Sequence, residues 1–562
     1  MAYVVTQSCC ADASCVVACP VNCIHPAPGE PGFATAEMLY VDARSCVGCG
    51  ACTTACPAGA ILPDTRLTAA QQPFVALNAE YYDVFPHADR RPVAVVPRQR
   101  RLSRPGPFRV AVVGAGPAGL YTADELLKHP EISVDVYDRL PTPYGLVRAG
   151  VAPDHQHTKQ VATLFGRIER LPGFRYFLGV EVGRDLRHED LAAQYHAVVH
   201  AVGAASDRAL GIRGEDLLGS CSATDVVGWY NGHPEHQDLA LPLDHERAVV
   251  VGNGNVALDV ARILTADPAA LDRTDIAALP LTALHRSAVR EVVVLGRRGP
   301  AQAAFTVPEL IGLAGLTDVD VVVDAQGADL AGDSQRERLI ADLAARPRDG
   351  SRRTIVLRFL TSPVEVLEGP GGRVAGVRVA RTTLETDGHG VARAVPTGET
   401  EVISAGLVLR SVGYHGLPVR DLPYDAATGT VPNDRGRVRP GVYVAGWVKR
   451  GPTGFIGTNK TCAEETVSRI LDDLDSGAVG DPVGTPESIE QVVRGRCPDV
   501  VDLAGWLAID AEERRRGAAR GRPRVKIVDR DELLRVAREA TGRSRYPAGR
   551  KRPRRARVTN GG

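Results

Sequence analysis

The run CVGCGACTTACP, Cys46 to Pro57, constrains this chain more than any other feature. Four thiols stand at C-x-x-C-x-x-C-x-x-x-C and are closed by a proline. Disulfides suit this spacing poorly, because cysteines two or three residues apart reach disulfide geometry only with strain. Zinc sites pair two distant C-x-x-C knuckles. Three cysteines from one tight loop, followed by C-P, is the spacing of a cubane iron–sulfur cluster whose fourth cysteine serves a second cluster. A zinc or thiol-redox site is the alternative.

The second half lies upstream in CCADASCVVACP, residues 9–20. On the same template its ligand positions hold Cys9, Asp12, Cys15 and Cys19, followed by Pro20. The expectation is a two-cluster ferredoxin-like domain with crossed ligands. Cys46, Cys49, Cys52 and Cys19 hold one [4Fe-4S] cluster, and Cys9, Cys15 and Cys56 hold the other. A carboxylate suits a soft iron–sulfide corner less well than thiolate. The second site is therefore expected to be [3Fe-4S], or a [4Fe-4S] cluster that loses iron easily. Cys10 and Cys23 are left over as buried thiols, with Cys10 an alternative ligand.

A length of 562 residues suggests three or four domains, and 44% hydrophobic content supplies several cores. Nine of the twelve cysteines fall within the first 56 residues, which argues for a metal domain in a reducing compartment, the cytoplasm by default. The formal net charge is zero, so no global field points to nucleic acid or membrane. No run is long enough to span a bilayer. Residues 1–62 form the expected iron–sulfur domain, acidic through Asp12, Glu30, Glu37 and Asp42 against Arg44. Residues 63–107 read as a Pro- and Arg-containing linker, extended because proline disfavours helix, with PFVALNAEYYDVF as its one packable stretch.

FRVAVVGAGPAGLYTADELL then reads as strand, turn and helix, with Gly114-x-Gly116-x-x-Gly119 at the turn. The glycines allow a tight turn and close approach of backbone to a pyrophosphate at the helix N-terminus. The next strand, ISVDVYDR, ends in Asp138, placed for a ribose hydroxyl. A second unit, AVVVGNGNVALDVARIL, carries Gly252-x-Gly254-x-x-Ala257. Its following strand ends in Arg297 and Arg298 instead of an acid. Paired arginines suit a 2′-phosphate, so the assignment is FAD at the first turn and NADP at the second; a solvated strand end is the alternative for the arginines.

PTPYGLVRAGVAPDHQHTK (141–159), GNGNVALDVARIL (252–264), GRRGPAQAAFTVPEL (296–310) and AGWVKRGPTGFIGTNK (445–460) resemble adrenodoxin reductase and its bacterial ferredoxin–NADP reductase relatives. The resemblance runs from about residue 109 to 540. With the cysteine domain in front, the chain resembles fused ferredoxin/ferredoxin–NADP reductases. This implies an α/β fold with two Rossmann-like domains, the FAD domain (108–205 and 411–540) split by the NADP domain (206–410). The small α+β ferredoxin-like domain precedes them. By resemblance, Ala118, Asp138, Leu146 and Val182 contact FAD. Trp447 and Gly454-Phe455-Ile456 reach flavin and nicotinamide. Asn255 and Val256 lie at the NADP turn, and Arg297, Arg298 and Glu309 surround the adenosine phosphate. The family's active-site histidine falls at His155. The resemblance makes His155 and Trp447 the expected catalytic residues. Some relatives carry a glutamate three residues after the Glu309 position, near that histidine, and here stands Gly312, so a pocket-shaping role is the alternative for His155.

The expected activity is ferredoxin–NADP+ reductase. NADPH gives two electrons and an iron–sulfur cluster takes one, and a flavin is the adapter between them. The expected partners are NADPH and a one-electron protein acceptor, a ferredoxin or a cytochrome P450-like protein. A glutamate-synthase-small-subunit-like oxidoreductase and a cluster-based oxygen or iron sensor are the rival readings. The basic stretch 541–562, with eight Lys or Arg between Arg543 and Arg557, reads as a solvated tail, with partner docking as the alternative.

Overall fold

The computed structural model describes residues 1–87, 100–386, 388 and 392–540. Most of the expected linker's second half (88–99) and the expected basic tail (541–562) lie outside the described residues.

The N-terminal domain has two similar halves. Strand Tyr3–Val5 pairs antiparallel with Ile61–Pro63, and Ile24–His25 with Tyr40–Val41. Each half contains a five-residue helix, Ser14–Ala18 or Ala51–Ala55, that carries a cysteine and ends at a C-P step. Both helices start from a left-handed residue, Ala13 (φ 60°) and Gly50 (φ 78°). Only the glycine adopts this conformation without steric cost.

The linker expectation needs correction. Residues Pro73–Val84 form a helix that completes the N-terminal domain. Pro73 opens it at a position whose N–H needs no partner, so the proline favours the helix start. Phe74 and Leu77 enter the iron–sulfur domain's core. Asn78 accepts from the backbone of Val5 and Val41 (3.2 and 2.9 Å) and donates to Val5 O (3.0 Å). Tyr82 donates to the carbonyls of Cys23 and Tyr40 (3.0 and 2.7 Å). The side chains of one helix thus tie together strands from both halves.

Two six-stranded sheets follow. The first runs in the order 437–439, 442–444, 197–200, 108–113, 132–138, 174–178. It is parallel except for the edge strand Arg437–Arg439. The second, all parallel, runs in the order 220–222, 407–410, 247–251, 291–295, 353–358, 319–324. Strands that are almost wholly Val, Ile, Leu and Ala, such as AVVV at 248–251, are buried on both faces, as parallel sheets require. The first sheet is completed only by residues beyond the second, so the second domain is inserted in the first. The two chain crossings lie side by side, Ser206–Asp207 paired antiparallel with Tyr414–His415. An antiparallel three-stranded sheet (361–368, 374–386, 392–404) flanks the inserted domain. Among the described residues, no helix is long and apolar enough to cross a membrane.

Candidate functional site

At the first nucleotide turn, strand Phe108–Val113 ends at Gly114, with φ +113°. A Cβ there would stand 2.4 Å from Ala201 O, and one on Gly119 would stand 1.9 Å from Gly114 O. Backbone packing thus demands both glycines. Gly116 is different: its nearest neighbour is Gly145 Cα at 3.9 Å, leaving room before the N-terminus of helix Pro117–Leu126. That cradle fits a dinucleotide pyrophosphate. Asp138 accepts from Ala115 N (2.8 Å) and Leu140 N (2.9 Å), tying the strand end to the turn. Burial raises its pKa. Ala118 packs against Gly446, where a Cβ would lie 2.5 Å from the Ala118 methyl. Leu146 is exposed on helix Gly145–Ala149, and Val182 lies half-buried beside the first sheet.

The second turn repeats the pattern. Gly252 has φ +108°, and a Cβ on it would be 2.2 Å from Ser411 O. Gly254 has open space around it. Asn255 clamps Thr306, accepting from its N at 2.9 Å and donating to its hydroxyl at 3.2 Å, while Val256 packs on the domain core. Arg297 is exposed and Arg298 half-buried. Neither guanidinium has a hydrogen-bond or ion-pair partner among the described residues, a donor set open to phosphate.

Between the two turns lies a charged cluster. Arg262, on helix Asn255–Thr265, is 5% exposed. It binds Asp154 through Nε (2.5 Å), Asp259 through Nη2 (2.7 Å) and His155 Nε2 through Nη2 (2.8 Å). Its Nη1 stands 3.6 Å from Glu309 Oε2. His155 lies 4.0 Å from both Asp259 Oδ1 and Glu309 Oε2. Burial opposes charge on Asp154, but Arg262 and His155 outweigh it and hold its pKa at about 2. Burial raises that of Glu309; His155 pulls it back, Asp259 adds to it, and Arg262 and Gln7 pull it back further. His155 therefore has carboxylate neighbours despite Gly312. Glu309, expected beside the adenosine phosphate, stands at this histidine.

Trp447 donates from Nε1 to Thr453 O (3.2 Å), and its ring meets Tyr414 at 5.0 Å between centroids. The segment Gly454-Phe455-Ile456 is fastened by the next residues: Thr458 Oγ1 accepts from Phe455 N (3.0 Å), and Asn459 donates to Ile456 O (3.0 Å).

In the iron–sulfur domain, Cys19, Cys46, Cys49 and Cys52 line one cavity, together with Cys23 and the apolar Val21, Val41 and Val47. Cys19 and Cys23 sulfurs are 3.4 Å apart. The hydrogen bond from Cys23 lowers the Cys19 pKa to about 6, which favours the thiolate a metal needs. On the other side Cys9, Cys15 and Cys56 gather with Cys10 and Asp12. Burial raises all these thiols' pKa values, and the mutual charges of Cys9, Cys56 and Asp12 add to the effect. Crowded buried donors that repel as anions fit a cationic metal core. Asp12 accepts from Ser14 Oγ (2.5 Å) and Ser14 N (3.3 Å), so its carboxylate is turned to the start of helix Ser14–Ala18.

These elements meet at one interface. Gly457 N donates to Cys10 O at 2.7 Å, directly after Gly454-Phe455-Ile456. Tyr121, on the helix of the first turn, is buried, and burial together with the charges of Cys10 and Asp12 raises its pKa. Ile311 of the inserted domain enters the iron–sulfur core, and Glu37 accepts from Val307 N (2.7 Å) and Arg336 (2.9 Å). The Cys9–Asp12 segment thus faces the nucleotide domains. The other cavity looks outward, where Cys49 is exposed and Val47 is 63% exposed.

Sequence reasoning missed Arg262, Asp259, Asn459, Tyr414 and Gln7, while Cys23 is the expected buried thiol beside the cluster cysteines. Asp259 and Arg262 had a signal: i, i+3 charges on the otherwise apolar helix after a dinucleotide turn.

Two glycine turns on two parallel sheets define a pyridine-nucleotide oxidoreductase, here carrying an iron–sulfur domain. Residues 108–295 match the pyridine nucleotide-disulphide oxidoreductase family and residues 39–62 the 4Fe-4S binding domain. The chain belongs to the ferredoxin/ferredoxin–NADP reductase family. It is 50% identical over 558 residues to a probable ferredoxin/ferredoxin–NADP reductase of Mycobacterium leprae (strain TN), covering 96% of this chain and 98% of that one. It is 46% identical to NADPH-ferredoxin reductase FprA of Mycobacterium tuberculosis (strain ATCC 25618 / H37Rv), covering 76% of this chain and 99% of that one. Mycobacterium tuberculosis FprA in complex with NADPH superposes with a TM-score of 0.73 at 44% identity, covering 77% of this chain and all of that one.

Proposed function

We propose that this chain is a ferredoxin–NADP+ reductase with its ferredoxin in cis, oxidising NADPH and passing single electrons to a protein acceptor such as a ferredoxin or a cytochrome P450-like protein. The observation that carries the reading is the contact of Gly457 with Cys10 and Asp12, which joins the Gly454-Phe455-Ile456 segment of the first nucleotide domain to the cysteines. FAD, when bound, supplies the exchange between two-electron and one-electron chemistry.

The chain's own residues do the rest. Gly114, Gly116 and Gly119 open the first helix N-terminus to the FAD pyrophosphate, and Asp138 braces that turn while offering its remaining lone pairs to the ribose. Gly252, Gly254 and Asn255 do the same for NADPH. Arg297 and Arg298 select the 2′-phosphate. Thr458 and Asn459 hold the 454–456 backbone still, and Trp447 with Tyr414 closes that side against water. Arg262 orients Asp154, Asp259 and His155 as one unit. We assign 108–205 with 411–540 to FAD and 206–410 to NADP. Cys19, Cys46, Cys49 and Cys52 fit a [4Fe-4S] cluster. Cys9, Cys15 and Cys56 fit a second, with Asp12 or Cys10 nearest its open corner. Nine clustered cysteines suit a reducing compartment, the cytoplasm.

The test is anaerobic steady-state reduction of ferricyanide and of cytochrome c with NADPH or NADH, on protein with counted flavin, iron and sulfide. The reading requires strong preference for NADPH with both acceptors. A flavin-loaded chain that leaves NADPH unoxidised refutes it.

A further inference from the structure

Gln7 belongs to the iron–sulfur domain, two residues before Cys9, yet its side chain ends at the His155 cluster. Its Nε2 donates to Glu309 Oε2 at 3.0 Å. That oxygen is the one 4.0 Å from His155 Nε2 and 3.6 Å from Arg262 Nη1. The space Gln7 uses exists because residue 312 is glycine. A Cβ on Gly312 would stand 2.4 Å from Gln7 Nε2 and 2.7 Å from its Oε1. Gly312 lies three residues after Glu309 on helix Val307–Ala314, on the same face. A side chain there would push the Gln7 amide out of the place from which it binds Glu309.

The reach of Gln7 is fixed from both ends. Strand Tyr3–Val5 is held by Asn78 and by its pairing with Ile61–Pro63. Helix Val307–Ala314 is held by Glu37 at its first N–H and by Ile311 in the iron–sulfur core.

We propose that Gln7 is a positioning residue for Glu309, so that the site around His155 is complete only when the iron–sulfur domain is docked. This rests on the proposed NADPH-oxidising function, with His155 as its active-site histidine. The groups facing Glu309 are His155 from the 152–157 segment, Asp259 and Arg262 from helix Asn255–Thr265, and Gln7; Asp154 acts through Arg262, and Glu37 sits at the helix start. Asp259 and burial disfavour a second anion. A hydrogen bond donated to the charged carboxylate favours it. Gln7 thus favours the ionised form of Glu309 and turns it toward His155. Loss of Gln7 raises the Glu309 pKa, so the ionised form is present only at higher pH.

The experiment uses the full-length chain with flavin and clusters loaded. Gln7→Ala, Gly312→Ala and the double variant are compared with wild type in NADPH–ferricyanide turnover from about pH 5 to 9. Each single variant should move the acidic limb of kcat/KM for NADPH upward by roughly one pH unit. The double variant should match a single one, because both break the same bond. Gly312→Ala lies in the reductase, far along the chain from the cysteines, and replaces glycine by the strongest helix former. A weakened helix is therefore no source of its shift, iron and sulfide counts matched to wild type exclude a lost cluster, and it decides the matter even where Gln7→Ala folds poorly. Unmoved profiles in an active enzyme, or shifts that add in the double variant, overturn the proposal alone. A flavin-loaded wild type that leaves NADPH unoxidised overturns the reading of the site, and the proposal with it.

Discussion

Replacing Gly457 by alanine should separate the two halves of the electron route while leaving both nucleotide turns intact. Gly457 has φ −72° and ψ −24°, a conformation alanine adopts freely, so no backbone strain enters. The cost is contact. The new Cβ would stand 2.2 Å from Asp12 N and 2.3 Å from Ala11 C and Asp12 Cα. These are backbone atoms with no rotamer to escape into, so ordinary contact requires the 10–12 segment to retreat by roughly 1 Å. The Gly457 N–Cys10 O bond of 2.7 Å is lost with it. Overpacking of this kind costs about 1–3 kcal/mol and the bond about 1 kcal/mol. The docked geometry is then disfavoured by roughly 30- to 1,000-fold at this point. Ferricyanide, which takes electrons at the flavin, should be reduced by NADPH within about twofold of wild type. Cytochrome c reduction, which the reading routes through the cysteine domain, should fall at least about tenfold. The measurement is the ratio of the two rates on protein whose iron and flavin contents match wild type. An unchanged ratio would falsify the assignment of the Gly457–Cys10 contact to the electron route.

Three further outcomes follow from the same geometry. Arg298→Ala should raise KM for NADPH by roughly 10- to 100-fold, the worth of a charge-assisted phosphate contact, with KM for NADH nearly unmoved; equal losses with both nucleotides contradict the 2′-phosphate assignment. Asp12→Cys should complete a thiolate set around the Cys9, Cys15 and Cys56 corner, and EPR after air exposure should show the three-iron signal of the wild type diminished in the variant. A wild type that stays silent and keeps about eight irons points to Cys10 as the closing ligand. A chain beginning at Arg100 should stay yellow, because Arg100 and Ser103 remain bonded to Asp472 and Asp475 (2.6–2.8 Å), and should keep NADPH–ferricyanide turnover at high pH with its acidic limb raised as in Gln7→Ala; it should lose rapid cytochrome c reduction and lose solubility through the uncovered Val307, Ile311 and Leu339. Failure of that chain to bind FAD shows instead that the domains fold as one.

What the sequence reveals of this molecule is what local chemistry writes. A turn that brings Gly114 within van der Waals reach of Ala201 O must spell its glycines where they fall, and parallel strands buried on both faces must spell Val and Ile. Cluster spacing is local for Cys46, Cys49 and Cys52. Helix Pro73–Val84 was hidden because proline density suggests an extended chain, while Pro73 occupies the one helical position where proline is at home. The His155 cluster was hidden for another reason. Asp154, His155, Asp259, Arg262 and Glu309 come from three separate segments, and the one periodic mark, the i, i+3 pair Asp259 and Arg262, names none of the partners from the other two. Gln7 lies 302 positions from the glutamate it binds. Yet two positions did carry a trace. Gly312 sits within a helix and Gly457 has an ordinary right-handed conformation at the start of one, so neither is demanded by its own backbone. A glycine costs a helix stability unless something needs the missing Cβ. Here both open toward the iron–sulfur domain, one to the Gln7 amide and one to the Ala11–Asp12 backbone. These two glycines mark contacts through which the iron–sulfur domain reaches the nucleotide domains.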